Sequence, residues 1–255
     1  MMELKKPPKY EMLVVTGPTA SGKTSLAAIL ALKLNGESIS ADSRQIYRHM
    51  NLGTGKDYSD YLIEGKQIPY YLIDVADPGY KYSVFEYQRD FIKVLDGIRS
   101  REKFPIVCGG SGMYIDSVVS GYKMVEVPPD PAFRASLETK SLEELAEILS
   151  SLKKQHNITD IVTKKRAIRA IEIERHINQG KENLTHFPDI NPLVIGVFYC
   201  RAKRRERISE RLKRRFEEGM VDEVRQLLNQ GVNPQAFIYY GLEYKYITLY
   251  ITGEI

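Results

Sequence analysis

Cysteine is scarce in this chain of 255 residues, with only Cys108 and Cys200, far apart in the sequence. That excludes a disulfide framework or a cysteine metal cluster. The apolar settings of the two, FPIVCGG and IGVFYC, read as places for small buried hydrophobes. No apolar run approaches the roughly 18 residues that a membrane-spanning helix needs. The first residues, MMELKKPPKYE, lack the apolar stretch of a secretory signal. A reducing cytoplasm, no membrane partner and a monomer are therefore the expectation. Internal repeats and low-complexity tracts are absent. Net charge is small as well: the formal value of +4 permits a polyanionic partner without demanding one.

What is present is the material of a folded α/β protein. Hydrophobic residues make up 43% and charged residues 27%, enough for a sizeable core under a soluble surface. Short apolar runs alternate with helical patterns through the first half, which predicts a parallel sheet flanked by helices. Strands are expected at MLVVTG (12–17), GESISAD (36–42), IPYYLIDVAD (68–77), KFPIVCGG (103–110) and LVIGVFYC (193–200). Helices are expected over Lys23 to Leu34 and after a Ser83 cap. From about Gly121 three prolines in four positions (VPPDP) open a helical stretch, SLEELAEILSSLKKQ and IVTKKRAIRAIEIERHINQ. The domain reading is an α/β core at 1–121 and 190–255, with a helical insertion at 122–189. A long charged helix, RAKRRERISERLKRRFEEGMVDEVRQLLNQG, follows the last strand. The aromatic ending YYGLEYKYITLYITGEI shows no evident final helix.

Two motifs carry chemistry. Gly17-Pro18-Thr19-Ala20-Ser21-Gly22-Lys23-Thr24 has the full Walker A spacing, with an apolar strand before it and a helix after it. Glycines let backbone N–H groups turn toward phosphate oxygens, the helix start adds a favourable dipole, Lys23 supplies charge and Thr24 a hydroxyl for Mg²⁺. This predicts phosphate binding without naming the phosphate compound. Asp42, in SADSRQIY, falls at the C-terminal end of the second strand, the edge where open α/β sheets bind ligands. It has two readings: a helix N-cap for QIYRHM, or a general base within reach of the loop's cargo. Ser43 and Gln45 beside it have the groups to orient an incoming base edge.

The succession GPTASGKT, SADSRQIY, GTGK, IPYYLIDVADP and GGSGMYI, followed by RAIRAIEI, RISERLKRRFEEGMVDEVRQLL and YYGLEYKYI, resembles the tRNA dimethylallyltransferase (tRNA isopentenyltransferase) family from Leu13 to Ile255. The resemblance implies a P-loop NTPase-like fold and transfer of a dimethylallyl group from its diphosphate to N6 of an adenosine next to the anticodon, position 37 of tRNA. It implies that Gly17, Thr19, Ala20, Ser21, Gly22, Lys23 and Thr24 hold the diphosphate with Mg²⁺, and that no nucleoside triphosphate is consumed. Asp42 corresponds to the family's base. Ser111 stands where the family has a threonine on the bridging diphosphate oxygen, and Arg211 where an arginine reaches the diphosphate. Asp42, Ser43, Arg44 and Gln45, with Lys165, Arg166 and Arg169 in the insertion, correspond to tRNA-contacting positions. The other arginines of the charged helix read as a solvated face.

The chain also departs from the family pattern. Lys165 replaces a usual glutamine, Val162 and Thr163 replace an Asn-Asp pair, and Tyr70 and Tyr71 stand where paired histidines are common. The family continues into a segment rich in Arg, Gln and Trp, whereas this sequence contains no Trp, so either a truncated chain or a shortened member is the expectation. Three other functions stay open at this point: an adenylate dimethylallyltransferase, a P-loop small-molecule kinase, and a non-catalytic RNA-binding relative.

Overall fold

The protein is described by a computed structural model that covers residues 9–153, 159–180 and 187–255. The opening segment read for a signal (1–8) and the end of SLEELAEILSSLKKQ (154–155) lie outside the described residues. The chain divides into two compact units, Met1–Tyr122 with Pro188–Ile255, and Lys123–Phe187.

The first unit is built on a parallel sheet. Strands β1 (Met12–Thr16), β2 (Gly36–Ala41), β5 (Tyr70–Tyr71), β6 (Phe104–Gly109) and β7 (Pro192–Gly196) lie in the order β5-β2-β6-β1-β7. A small antiparallel hairpin, β3 (Leu62–Ile63) with β4 (Lys66–Gln67), stands apart from it. Strand β1 is buried on both faces, as its unbroken apolar run requires. Helix α1 (Lys23–Lys33) packs on one face through Ala27, Ala28 and Ala31, whose small side chains let it approach Leu13, Val15 and Ile106 closely. Helix α2 (Val84–Ser100) starts at a Ser83–Glu86 capping box, and α3 (Gly112–Val119) packs beside it with Tyr114 stacked on Tyr87 at 4.0 Å.

Four local expectations are corrected. The strand expected over 68–77 shrinks to Tyr70–Tyr71, because Leu72 and Asp74 take left-handed φ values of 59° and 57° and steer the chain out of the sheet. The charged helix is two, α7 (Arg201–Glu217) and α8 (Met220–Asn229), broken where Gly219 adopts a φ of 95°. The aromatic ending folds as α9 (Pro234–Tyr240) and α10 (Leu242–Thr252). There Phe237, Tyr240, Tyr244, Ile247 and Thr248 are buried at helical spacing, and this burial outweighs the strand preference of their types. Cys108 is buried as expected, but Cys200 is exposed at the start of α7.

The second unit is helical: α4 (Pro131–Glu138), α5 (Leu142–Leu152) and α6 (Lys164–Asn178) meet around Leu137, Leu145, Leu149, Ile168 and Ile171. Glu172 is the buried exception. Its carboxylate accepts the Asp130 N–H at 2.7 Å, two Arg134 N–H groups at 3.0 and 2.6 Å, and a bond from Arg169. Burial alone would raise its pKa; the bonds from Arg134, Asp130 and Arg169 outweigh that and hold the carboxyl at about 2. A depressed carboxyl stabilises the fold fully above its ordinary value of 4.5, and the contribution is lost as pH falls through about 2. Glu172→Gln is expected to lower the local stability of α4 and α6 by about 2 kcal/mol at pH 7, less than a fully buried pair because both arginines keep water. Faster amide exchange in those helices checks it, and the gap from wild type should narrow as the pH is lowered from 4.5 toward 2.

Candidate active site

The site is assembled where three strands end together. Register sets Thr16 of β1 beside Gly109 of β6, and Gly109 beside Ala41 of β2. The segments that follow, Gly17–Lys23, Gly110–Ser111 and Asp42–Gln45, therefore leave the sheet at one level. Strands in a sheet are about 4.8 Å apart, so the phosphate loop and Asp42 start two strand spacings from each other, about 10 Å. Only a residue without a side chain can sit between them: a Cβ on Gly109 would lie 2.1 Å from the Ala41 carbonyl oxygen.

These segments line a cavity of about 460 Å³, together with residues of the 54–61 stretch and of α7. From the phosphate loop come Thr19, Ala20, Ser21, Gly22, Lys23 and Thr24. Helix α1 begins at Gly22 with no side-chain cap, so its first N–H groups are left to the loop's ligand. The buried Ser21 hydroxyl has no partner among the described residues, as expected of a group that a bound anion would satisfy. Gly17 itself does not line the cavity; it packs against Val197. Cys108 lines the wall too, and burial pushes its thiol up to about 12, which keeps it neutral and unreactive.

Asp42 lines the same cavity, and its Oδ1 accepts the Arg44 N–H at 2.9 Å. Both sequence readings meet here, in modified form. The carboxylate organises its own backbone as a turn rather than a helix start, and it still faces the cavity. Gln45 lines the cavity with its amide already engaged, accepting from Ser40 Oγ at 3.1 Å and donating to the Gly55 carbonyl at 3.0 Å. Ser111 does not line the cavity. Its hydroxyl accepts the Ser43 N–H at 2.8 Å and meets Ser43 Oγ at 3.1 Å, which ties the end of β6 to the Asp42 turn.

Helix α7 contributes most of what the sequence reading missed. Arg207, Arg211 and Arg214 all line the cavity, at i, i+4 and i+7, one face of a helix. Arg207 Nε donates to the Ala20 carbonyl at 2.8 Å, holding the phosphate loop from outside. Arg211 sits deep enough that burial, and then the neighbouring Arg215 charge, pull its guanidinium below the usual range. Arg215 is 3% exposed, lies against Gly55 and reaches Asp57 at 3.4 Å. So Arg211 faces the cavity as the resemblance implies, Arg207 and Arg215 turn inward although they read as part of a solvated face, and Arg214 lines the cavity while staying exposed and paired with Glu218 at 3.5 Å. Spacing in RERISERLKRR was the available signal; composition masked it.

The 51–57 turn is pinned by Lys56, whose side chain is fully buried. Its ammonium donates to the Tyr47 carbonyl, to Asn51 Oδ1 at 3.4 Å and to Asp74, which also accepts from Tyr58. Burial pulls the Lys56 pKa down while Asp74 pushes it back up. In the helical unit Lys164, Lys165 and Arg166 are exposed on the first turn of α6. Arg169 is instead committed to Glu172 and to the Val127 carbonyl, at 2.9 Å from the latter. Among the described residues no group of three His, Cys, Asp or Glu side chains gathers as a metal cluster. Oxygen donors suited to a hard cation line the cavity, namely the Thr24 hydroxyl and the carboxylates of Asp42, Asp57, Asp60 and Glu210, and such a set fits Mg²⁺ shared with a bound phosphate. No helix among the described residues is long and apolar enough to cross a membrane.

A parallel sheet with a phosphate loop after its first strand, and its ligand edge at the ends of β1, β6 and β2, defines a P-loop α/β protein. The family model described as IPP transferase matches residues 45–255. A protein of Phocaeicola vulgatus named tRNA dimethylallyltransferase 2 is 56% identical over 97% of this chain and 80% of its own length. One of Parabacteroides distasonis, tRNA dimethylallyltransferase 1, is 57% identical over 96% and 80%. The crystal structure of the full-length tRNA isopentenylpyrophosphate transferase of Bacillus halodurans matches with a TM-score of 0.67 and 31% identity, over 97% of this chain and 79% of that one. The chain belongs to the IPP transferase family.

Inorganic diphosphate is a direct probe of the anion end of this cavity. Arg207→Ala and Lys23→Ala are each expected to weaken its binding about tenfold by calorimetry, the worth of one charge-assisted hydrogen bond. Arg205→Ala, on the exposed side of α7, should leave it unchanged.

Proposed function

We propose that this chain transfers a dimethylallyl group from dimethylallyl diphosphate to the N6 amine of an adenosine beside the anticodon of tRNA. One observation carries the reading: Lys23 and three arginines share a single cavity with the carboxylate of Asp42. Such a pairing suits a reaction in which an anion leaves as a proton is removed. In the step, a bond forms between adenine N6 and the allylic C1 carbon, and the bond from C1 to the diphosphate oxygen breaks. The N6 proton passes to the Asp42 carboxylate, and the electron pair of the broken bond leaves with the diphosphate.

An exocyclic adenine amine is a weak nucleophile, so proton removal must accompany attack. The departing diphosphate gains charge, and Lys23, Arg207, Arg211 and the N–H groups at the start of α1 meet it as fixed donors. Mg²⁺, held by Thr24 and the diphosphate oxygens, would offset further charge on the leaving group when bound. Ser111 acts through the Ser43 backbone to set the Asp42 turn, rather than on the diphosphate itself. In the helical unit, Lys164, Lys165 and Arg166 provide exposed charges for tRNA phosphates, while Arg169 keeps its position by ion pairing. Ser43, Arg44 and Gln45 belong to the nucleoside side of the site.

Incubation with unmodified anticodon stem-loop RNA, dimethylallyl diphosphate and Mg²⁺ should add one prenyl unit to the RNA by mass spectrometry. Asp42→Asn is expected to cut the rate by about 10²–10⁴. A gain on free AMP but none on RNA would assign the chain instead to adenylate prenylation. Ser111→Ala should slow transfer, while Ser111→Thr, which keeps the hydroxyl, should restore most of it.

A further inference from the structure

Beyond the cavity lining, the Asp42 turn carries an arrangement that the chemistry so far leaves unused. Arg44 follows Asp42 by two residues and donates its backbone N–H to that carboxylate. Its guanidinium carbon lies 6.0 Å from the ring centre of Tyr239 and 5.9 Å from that of Tyr240, both at the end of α9. No ion pair among the described residues ties this guanidinium down. The two tyrosines differ sharply. Tyr240 is 3% exposed, packs its ring on Tyr47 at 4.3 Å and accepts the Gly79 N–H at 2.6 Å. Tyr239 is 60% exposed, and its described aromatic contacts are the edge of Tyr240 at 5.9 Å and the Arg44 cation.

Exposure by itself is ordinary, since Tyr250 and Phe198 are at least as open; what distinguishes Tyr239 is its place beside Arg44 and the Asp42 turn. Here the ring stands next to a planar cation with uncommitted donors, at a turn that also presents the general base. An aromatic face joined to an arginine plane is the chemistry that holds an unstacked nucleobase. The reacting adenine must reach Asp42 inside the cavity, and neither Tyr239 nor Arg44 lines that cavity. The ring is therefore left for a neighbour of the reacting base.

We infer that Tyr239 and Arg44 form a stacking subsite for the nucleobase flanking the reacting adenosine. The inference rests on the function proposed above. Tyr240 serves as the buried foot of the platform, and its contacts with Tyr47 and Gly79 fix the end of α9 against the sheet's ligand edge. An RNA whose flanking base is missing should lose affinity even with its phosphates intact.

The test uses the full chain with stem-loop RNAs that carry 2-aminopurine on the 5′ or the 3′ side of the target adenosine. Stacking on Tyr239 should quench the probe on one side when wild-type protein binds. Tyr239→Ala should abolish that quenching and raise KM for RNA about tenfold, with the effect in KM rather than kcat. Tyr239→Phe should restore both, since the ring and not the hydroxyl is needed, and circular dichroism should show all variants equally helical. Equal quenching and equal KM in wild type and Tyr239→Ala would overturn the inference. Prenyl transfer by wild type with no quenching on either flank would overturn it while leaving the proposed function intact. Absence of transfer to any RNA would remove both.

Discussion

The close approach of β2 and β6 at Gly109 is the constraint from which the site's geometry follows. With no Cβ at that position, the ends of β1, β6 and β2 stay level, and the phosphate loop and the Asp42 turn open into one cavity. A side chain there would drive into the Ala41 carbonyl, and relief would have to come from parting the strands that carry the anion site and the acid. The parallel sheet thus does more than support the loops: its hydrogen-bonded register sets the distance between the phosphate loop and the Asp42 carboxylate. Everything added later in the chain is arranged around that spacing.

Polar bonds between segments remote in sequence then stiffen the walls. Lys56 fixes the 51–57 turn through a carbonyl and Asp74, Gln45 bridges β2 to that turn, and Ser111 bridges β6 to the Asp42 turn. Each is a short side chain or a buried charge whose desolvation is compensated by several bonds, so that displacement leaves a group unsatisfied. Residues in the cavity are therefore held by neighbours outside it, which is how a site keeps its geometry before substrate arrives.

How much of this was legible in the sequence depended on the range of the interaction. The Walker A spacing, the strand before it and the Ser83 cap are local patterns, and each appears where the residues placed it. Asp42 could be set at the ligand edge because the position of a strand's end is also a local reading. The inward turn of Arg207 and Arg215 was hidden, because seventeen residues so rich in charge look solvated until a partner surface is known. Tyr239 was hidden for a similar reason: a tyrosine among β-preferring aromatics gives no sign that burial of its neighbours will wind the segment into helices. The third strand failed because left-handed backbone at Leu72 and Asp74 turns the chain out of the sheet, and the Asp74 carboxylate is held there by Lys56, a partner that no run of residues displays.

The bond from Arg207 to the Ala20 carbonyl joins residues 187 apart, and β7 pairs with β1 across nearly the same stretch of chain. A ribosome making this protein releases the phosphate loop early, long before the strand and helix that complete its surroundings exist. Until then the loop has one neighbouring strand fewer and no guanidinium to hold it. Contacts of such long range are slow to form, since the intervening chain must first be gathered in. The anion site thus cannot be completed until the chain beyond Arg207 has been made, and a nascent chain that displays the complete motif still lacks the arginine face around it.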